Sequence, residues 1–159
     1  MTSARIRPAH YGDADTLHQL LCRTRREAFG GSAPEAAFEQ AEREGLAEWQ
    51  EALGEGTHQS AWLAHRDGEA VGLARSRATG IEGPRPLCLE NLYVLSSEQG
   101  QGTGTHLLEL AIGDAPCYLW VAAGNDRAVG FYRHHGFEFD GEEWSDEQWP
   151  GLTLHRMVR

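Results

Sequence analysis

The sequence predicts an α/β domain built on one sheet of about six to seven strands with helices packed against it. Two segments, LCLENLYVL at 87–95 and CYLWVAA at 117–123, are almost wholly apolar, as in central strands covered on both faces. Other stretches show the three-to-four-residue apolar spacing of amphipathic helices. Short turns rich in glycine separate the two kinds of segment.

Residues 4–7 read as a short strand. Asp13 is placed to N-cap a helix whose apolar stripe is Leu17, Leu20, Leu21 and Ala28, with a stop at Gly30-Gly31. Pro34 opens a second helix with Phe38, Ala41, Leu46, Trp49 and Leu53 on its apolar side, and Gly45 is where that helix is expected to divide in two. After the turn LGEGT, strands at 60–65 and 70–78 are joined through Arg66-Asp67-Gly68-Glu69, a hairpin signal. IEGPRP is a loop before the strand at 87–95. A glycine-rich loop then runs into a helix ending near Ile112, followed by the strand at 117–123 and a short helix over 126–135 stopped by Gly136. FEFDGEEW and LTLHRMV close the chain as strands about the turn at Pro150-Gly151. No repeat, linker or low-complexity tract interrupts this order, so residues 1–159 read as one domain.

A chain of 159 residues can bury roughly 70% of its unfolded surface around one core. No apolar run approaches the about 18 residues that a membrane span needs, and MTSARIRPAH lacks the apolar centre of a signal peptide. A cytoplasmic location without membrane contact is therefore expected. Cys22, Cys88 and Cys117 are odd in number and widely spaced, which predicts buried, reduced thiols and neither a disulfide framework nor a CxxC metal site. The net charge of −10 makes nucleic acid an unfavourable partner. All 14 basic residues are arginine; without lysine there is neither a P-loop nor a Schiff-base amine. The Ala, Gly and Arg bias is also that of a GC-rich bacterial genome.

The stretch SSEQGQGTGTHLLELAI, residues 96–112, sets Gly100, Gly102 and Gly104 ahead of an apolar helix. Glycines let successive backbone N–H groups converge on an anion, and the following helix adds free amides and the positive end of its dipole. A phosphate-bearing ligand is one reading of such a loop, and a flexible turn is the other. A dinucleotide fingerprint G-x-G-x-x-G begun at Gly100 fails, because its third glycine falls on Thr105.

A second motif, NDRAVGFYRHHGF at 125–137, has the form N-x-x-A-x-x-F-Y-x-x-x-G-F. Together the two motifs resemble the GNAT superfamily of acetyl-CoA-dependent N-acetyltransferases. Gln99, Gly102 and Gly104 match its Q/R-x-x-G-x-G/A pyrophosphate loop, and Asn125, Ala128, Phe131, Tyr132 and Gly136 match its cofactor-arm helix. The resemblance covers the whole element order. It implies a mixed, mostly antiparallel central sheet whose two central strands splay apart for CoA, often at a β-bulge. It also implies that backbone amides of Gln99, Gly100, Gln101, Gly102, Thr103, Gly104 and Thr105 hold the pyrophosphate, with Gln99 in place of the commoner Arg. Leu92, Tyr93 and Val94 would pair with the pantetheine arm like an added strand. Asn125, with Phe131 and Tyr132 on the same helix, would hold the arm from the other side.

Amide formation from a thioester needs a neutral amine, and roughly one alkyl ammonium in 10³ is neutral at pH 7, a deficit of about 4–5 kcal/mol. A base or a desolvating site must offset it. Tyr132 is the candidate acid, since the resemblance implies a hydroxyl near the CoA sulfur; the alternative is a core tyrosine beside Phe131. Glu90 is the candidate base, lying in an otherwise apolar strand where an unpaired carboxylate would titrate upwards. The alternative is an ion pair with a nearby Arg. Tyr93 directing a water is a further option, and Asn91 reads as a hydrogen-bonding partner. His134 and His135 read as a surface pair, and no metal-ligand spacing exists, so no metal is expected.

Glu44, Glu48, Glu51 and Glu55 form an acidic helix stripe, and Asp140, Glu142, Glu143, Asp146 and Glu147 a second cluster in the last turn. In the family both regions border the acceptor mouth, where acid would concentrate a cationic amine; a solvated surface accounts for them equally. Trp49, Trp62, Trp144 and Trp149 are either pocket walls or core. The expected activity is direct acetyl transfer to a primary amine of a small cationic molecule or of a peptide or protein. Candidate partners are thus acetyl-CoA, the amine and a second copy of the chain. A non-catalytic acyl-CoA-binding or regulatory domain and a nucleotide-binding α/β protein are the competing readings.

Overall fold

A computed structural model describes residues 3–159. Its elements are β1 (Arg5–Pro8), α1 (Ala14–Phe29), α2 (Glu35–Ala52), β2 (Gln59–Arg66), β3 (Glu69–Ala78), β4 (Leu87–Val94), α3 (Thr103–Ile112), β5 (Tyr118–Ala122), α4 (Asp126–His134), β6 (Glu138–Ser145) and β7 (Thr153–Val158). The seven strands form one sheet in the order β1-β2-β3-β4-β5-β7-β6. Every neighbouring pair is antiparallel except β4–β5. The mixed, mostly antiparallel sheet expected from the motifs is therefore present.

The β2–β3 hairpin turns through Asp67 (φ 51°) and Gly68 (φ 83°). Two successive positive φ values suit the twist of a tight hairpin. The two faces of the sheet are told apart by neighbours in β3. Arg75 lies over the Trp49 ring of α2, whereas Ser76 donates to the Ala111 carbonyl of α3 at 3.0 Å. Successive strand side chains point to opposite faces, so α2 and α3 cover opposite sides of the sheet. The core runs from Leu17 and Trp49 through Leu63, Leu73 and Leu119 to Met157.

Three expectations need correction. Gly45 does not divide α2, which is continuous; a Cβ there would come within 2.9 Å of the His18 ring, so the glycine lets α1 and α2 approach. His18 Nε2 and the Glu42 carbonyl lie 2.9 Å apart across that contact. Ala28 is exposed, and the buried residue of that turn is Thr24, whose hydroxyl donates to the Leu20 carbonyl at 2.9 Å and so needs no outside partner. Asp13 does sit at the α1 N-cap position, but its carboxylate accepts from Arg7 Nη1 and Nη2 at 2.7 and 2.8 Å and from the His10 N–H at 2.9 Å. It ties β1 to the start of the first helix. Cys88 and Cys117 are buried and free, as expected, while Cys22 is half-buried. Burial pushes the Cys88 thiol up to about 12 and Cys117 to about 11, which keeps both protonated and unreactive.

Candidate active site

The β4–β5 pair makes a single register contact, Cys88 with Tyr118. No further pair forms between the two strands, and Leu92, Tyr93 and Val94 line a cleft of about 920 Å³ whose lining also includes Trp120, Val121 and Ala122. The cause is local. In the β3–β4 ladder Arg75 pairs with Asn91 and Ser76 with Leu89, which leaves Glu90 as the extra residue of a bulge. A bulge bends its strand and re-aims a side chain. Here it turns β4 away from β5 and puts both Glu90 and Asn91 on the cleft lining.

The glycine loop closes one end. Gly100 (φ 81°) and Gly102 (φ 85°) take left-handed conformations that other residues adopt only with strain. Gly102 is the N-cap of α3 and offers no side chain to the first turn. The first amides of α3 are thus without a side-chain cap, at the positive end of the helix dipole. Gly104 has ordinary helical backbone; its Cβ would lie 3.7 Å from the Phe131 ring and 3.8 Å from Val94, so it keeps the cleft side of the helix bare. Gly100, Gly102, Gly104, Thr105 and Gln99 line the cleft, whereas Gln101 and Thr103 do not. The Thr103 hydroxyl instead donates to Glu98 Oε1 at 2.8 Å. Gln99 Nε2 donates to the Val94 carbonyl at 3.2 Å, joining the loop to β4.

Across the cleft, Asn125 caps α4, its Oδ1 accepting from the Ala128 N–H at 3.3 Å. Its amide nitrogen has no partner among the described residues. Tyr132 and Phe131 follow on the same face, both on the lining. The Tyr132 ring packs between Phe131 (5.4 Å) and Phe137 (5.8 Å), and its hydroxyl has no hydrogen-bond partner among the described residues. Burial pushes its phenol well above the ordinary value of 10, so the group stays protonated. The ring is thus packed in the core beside Phe131, and the residue also lines the cleft. His135 is not a plain surface residue, because its Nε2 lies 3.4 Å from Thr105 Oγ1 and burial lowers its pKa.

For Glu90 the structure shows the ion pair with an arginine that the sequence left as the alternative. Arg77 Nε donates to its Oε1 at 2.7 Å, and its side chain is 27% exposed. The two acidic clusters divide as well. Glu44, Glu48 and Asp146 reach the cleft, while Glu51, Glu55, Glu142, Glu143 and Glu147 do not. Asp140, Glu142 and Glu143 belong to the strand β6, exposed along its whole length, where Asp140 pairs with Arg156 at 2.6 Å. Charge on an edge strand discourages pairing with another chain. Trp144 and Trp149 line the cleft; Trp49 and Trp62 do not. Trp120, which lies 6.0 Å from Trp144, was not singled out by sequence, nor were the cleft arginines Arg25, Arg75 and Arg127. An apolar strand hides Trp120 among its neighbours, and nothing in spacing separates a pocket arginine from a surface one. Among the described residues no cluster suited to a metal ion is found, and no helix is long and apolar enough to cross a membrane.

Comparison with known proteins gives the same picture. The model of the acetyltransferase (GNAT) domain family matches residues 57–139, just over half of the chain. A probable N-acetyltransferase of Mycobacterium tuberculosis is 30% identical over 98 residues, which cover 60% of this chain and 56% of that protein. The match thus spans little more than half the length of that relative. Among solved structures, the PaiA N-acetyltransferase of Thermoplasma acidophilum in complex with coenzyme A superposes with a TM-score of 0.75 at 17% identity, covering 99% of this chain and 100% of that one. An acetyltransferase of Thermus thermophilus gives 0.64 at 24% identity over 99% and 97%. At these identities the superpositions speak for the fold.

Proposed function

The chain belongs to the GNAT acetyltransferase family, and from that premise we propose that it moves the acetyl group of acetyl-CoA directly to a primary amine of a small molecule or a peptide. The observation that carries the reading is the gap between β4 and β5, which opens onto the uncapped N-terminus of α3 with Tyr132 on its lining. The gap offers strand-like hydrogen bonding to an extended amide-bearing arm, and the helix end suits a pyrophosphate. The coenzyme A bound to the Thermoplasma relative agrees with this.

In the proposed reaction the amine nitrogen forms a bond to the thioester carbonyl carbon as the carbon–sulfur bond breaks. Glu90, directly or through water, takes the proton that leaves the amine. Arg77 holds Glu90 toward its own side, so the carboxylate acts from a fixed position. Tyr132 serves the departing thiolate. Burial favours its neutral form, so it acts chiefly as a hydrogen-bond donor to the sulfur. The mouth carries both signs, with Glu44, Glu48 and Asp146 beside Arg25 and Arg75.

Incubation with acetyl-CoA and a mixed amine panel, followed by mass spectrometry, tests the proposal. Acetylated product with release of free CoA is expected. Tight CoA binding with no product from any amine would favour the non-catalytic acyl-CoA-binding domain.

A further inference from the structure

We infer that the acceptor carries a carboxylate close to its reacting amine, as an amino acid or a peptide terminus does, and that Arg75 binds that carboxylate. The inference rests on the acetyltransferase reading above and specifies its substrate class. Arg75 lines the cleft with a side chain only 9% exposed. Burying a guanidinium is costly unless its donors are matched. Three partners fix this one. Nε donates to Asn91 Oδ1 at 2.9 Å, Cζ lies 4.8 Å from the centre of the Trp49 ring, and one Nη donates to Glu48 Oε1 at 2.9 Å. The second Nη has no partner among the described residues.

Two of these partners, Asn91 and Trp49, orient the group without neutralising it. Among the described residues its one ion-pair partner is Glu48, whose side chain is 66% exposed. An ion pair with so wet a partner contributes little, so it yields readily to a better one. A ligand carboxylate would replace Glu48 and take both Nη groups as a fork, the geometry in which Arg recognises carboxylates most strongly. Place in the cleft supplies the rest. Asn91, which holds Arg75, is the residue after Glu90, and the bulge puts both on the lining. A carboxylate held at Arg75 therefore brings an amine a few bonds away toward Glu90. Trp120, Trp144 and Trp149 leave an apolar wall for the side chain of such a molecule.

The test is calorimetric binding to the CoA-loaded protein, with matched probes that differ in the carboxylate alone: tryptophan against tryptamine, leucine against leucinamide, and a leucyl dipeptide against its C-terminal amide. The acid member of at least one pair should bind about tenfold or more tighter. Arg75→Gln should remove that preference. Glu48→Gln should do the opposite and tighten the acid member severalfold, because it removes the competitor for Arg75 from an exposed side chain. A merely structural Arg75–Glu48 pair predicts no such gain. Equal or weaker binding of the acid member in every pair, or no binding by any acid up to millimolar concentration, overturns the inference even if Arg75→Gln fails to fold. Failure of CoA itself to bind would instead overturn the acetyltransferase reading.

Discussion

Glu98 accepts the Thr103 hydroxyl at 2.8 Å from beneath the glycine loop, and the same carboxylate is held by Arg66 Nε at 2.8 Å and Nη2 at 2.6 Å. Glu98 is 3% exposed. The β2–β3 hairpin thus reaches through one buried carboxylate to the first residue of α3 and sets where the free amides of that helix point. The Glu98→Gln variant should bind CoA about tenfold more weakly, with kcat at saturating acetyl-CoA changed by less than about threefold, since the reacting groups lie elsewhere. Equal losses in both constants would point to general unfolding of the cleft. Unchanged affinity would leave Glu98 a scaffold residue only.

Gly102 and Gly104 should separate by their effects on the free protein. Gly102→Ala forces a side chain into a left-handed conformation (φ 85°) and should destabilise the fold by about 1–2 kcal/mol. Gly104→Ala has room and gains up to about 1 kcal/mol of helix propensity, so the melting temperature without ligand should hold or rise. Both should weaken CoA. Wild-type CoA affinity in a folded Gly104→Ala protein would remove that face of α3 from the binding site. CoA at about a hundred times its Kd should stabilise the wild type by about 2.7 kcal/mol, with no comparable effect of NAD or ATP.

Tyr132→Phe keeps the ring and its packing against Phe131 and Phe137, so CoA affinity should persist while kcat falls about 10–10³-fold. Glu90→Gln should lose most activity near neutrality and recover part of it at higher pH, where more of the amine is already neutral. A full set of pH–rate profiles for the two variants distinguishes them. Identical profiles would remove the acid–base division of labour.

Much of this was legible in the sequence, because it depends on backbone. The strand and helix order, the hairpin at Asp67-Gly68 and the left-handed Gly100 and Gly102 all follow from periodicity and from residues that few conformations admit. Pair partners across long separations were not legible. Arg77 facing Glu90, Arg75 facing Glu48 and His18 above Gly45 are set by strand register and helix contact, and a one-residue bulge decides the first. The acidic residues divide between the two readings for a related reason: β6 lies outside β7, so Asp140, Glu142 and Glu143 sit on an exposed edge, while Glu44, Glu48 and Asp146 line the cleft.

Salt should report on the carboxylates that do reach the cleft. If Glu44 and Asp146 draw the ammonium form of the acceptor inward, its KM should rise with ionic strength as the charges are screened. Glu44→Gln and Asp146→Asn should each blunt that slope, and Glu142→Gln on β6 should not. An effect of Glu142→Gln as large as theirs would move the mouth toward the sheet edge.

Two buried carboxylates should contribute to acid stability. Hydrogen bonds from Arg7 hold Asp13 down to about 2 from an ordinary value of 3.8, and those from Arg66 lower Glu98 in the same direction. Both pKa values lie lower in the folded chain, so their stabilisation is complete above the unfolded values and is lost as pH falls through the folded ones. The melting temperature should therefore drop steeply between about pH 4 and pH 2. Asp13→Asn should lower it at neutral pH and flatten that acid limb; an unaltered limb would remove Asp13 from the account.

The divergence of β4 and β5 has a colloidal consequence. It leaves the β5-facing edge of β4 without a strand partner along Leu92, Tyr93 and Val94, in the middle of the sheet, and these residues carry none of the charge that guards β6. An inner edge of that kind is a template for the strand of another molecule whenever it stands open. A ligand arm lying along it would act as a stopper against self-association. Light scattering at the same protein concentration should then show the empty chain coagulating on mild warming while the CoA-filled chain stays clear, well below the temperature at which either one melts.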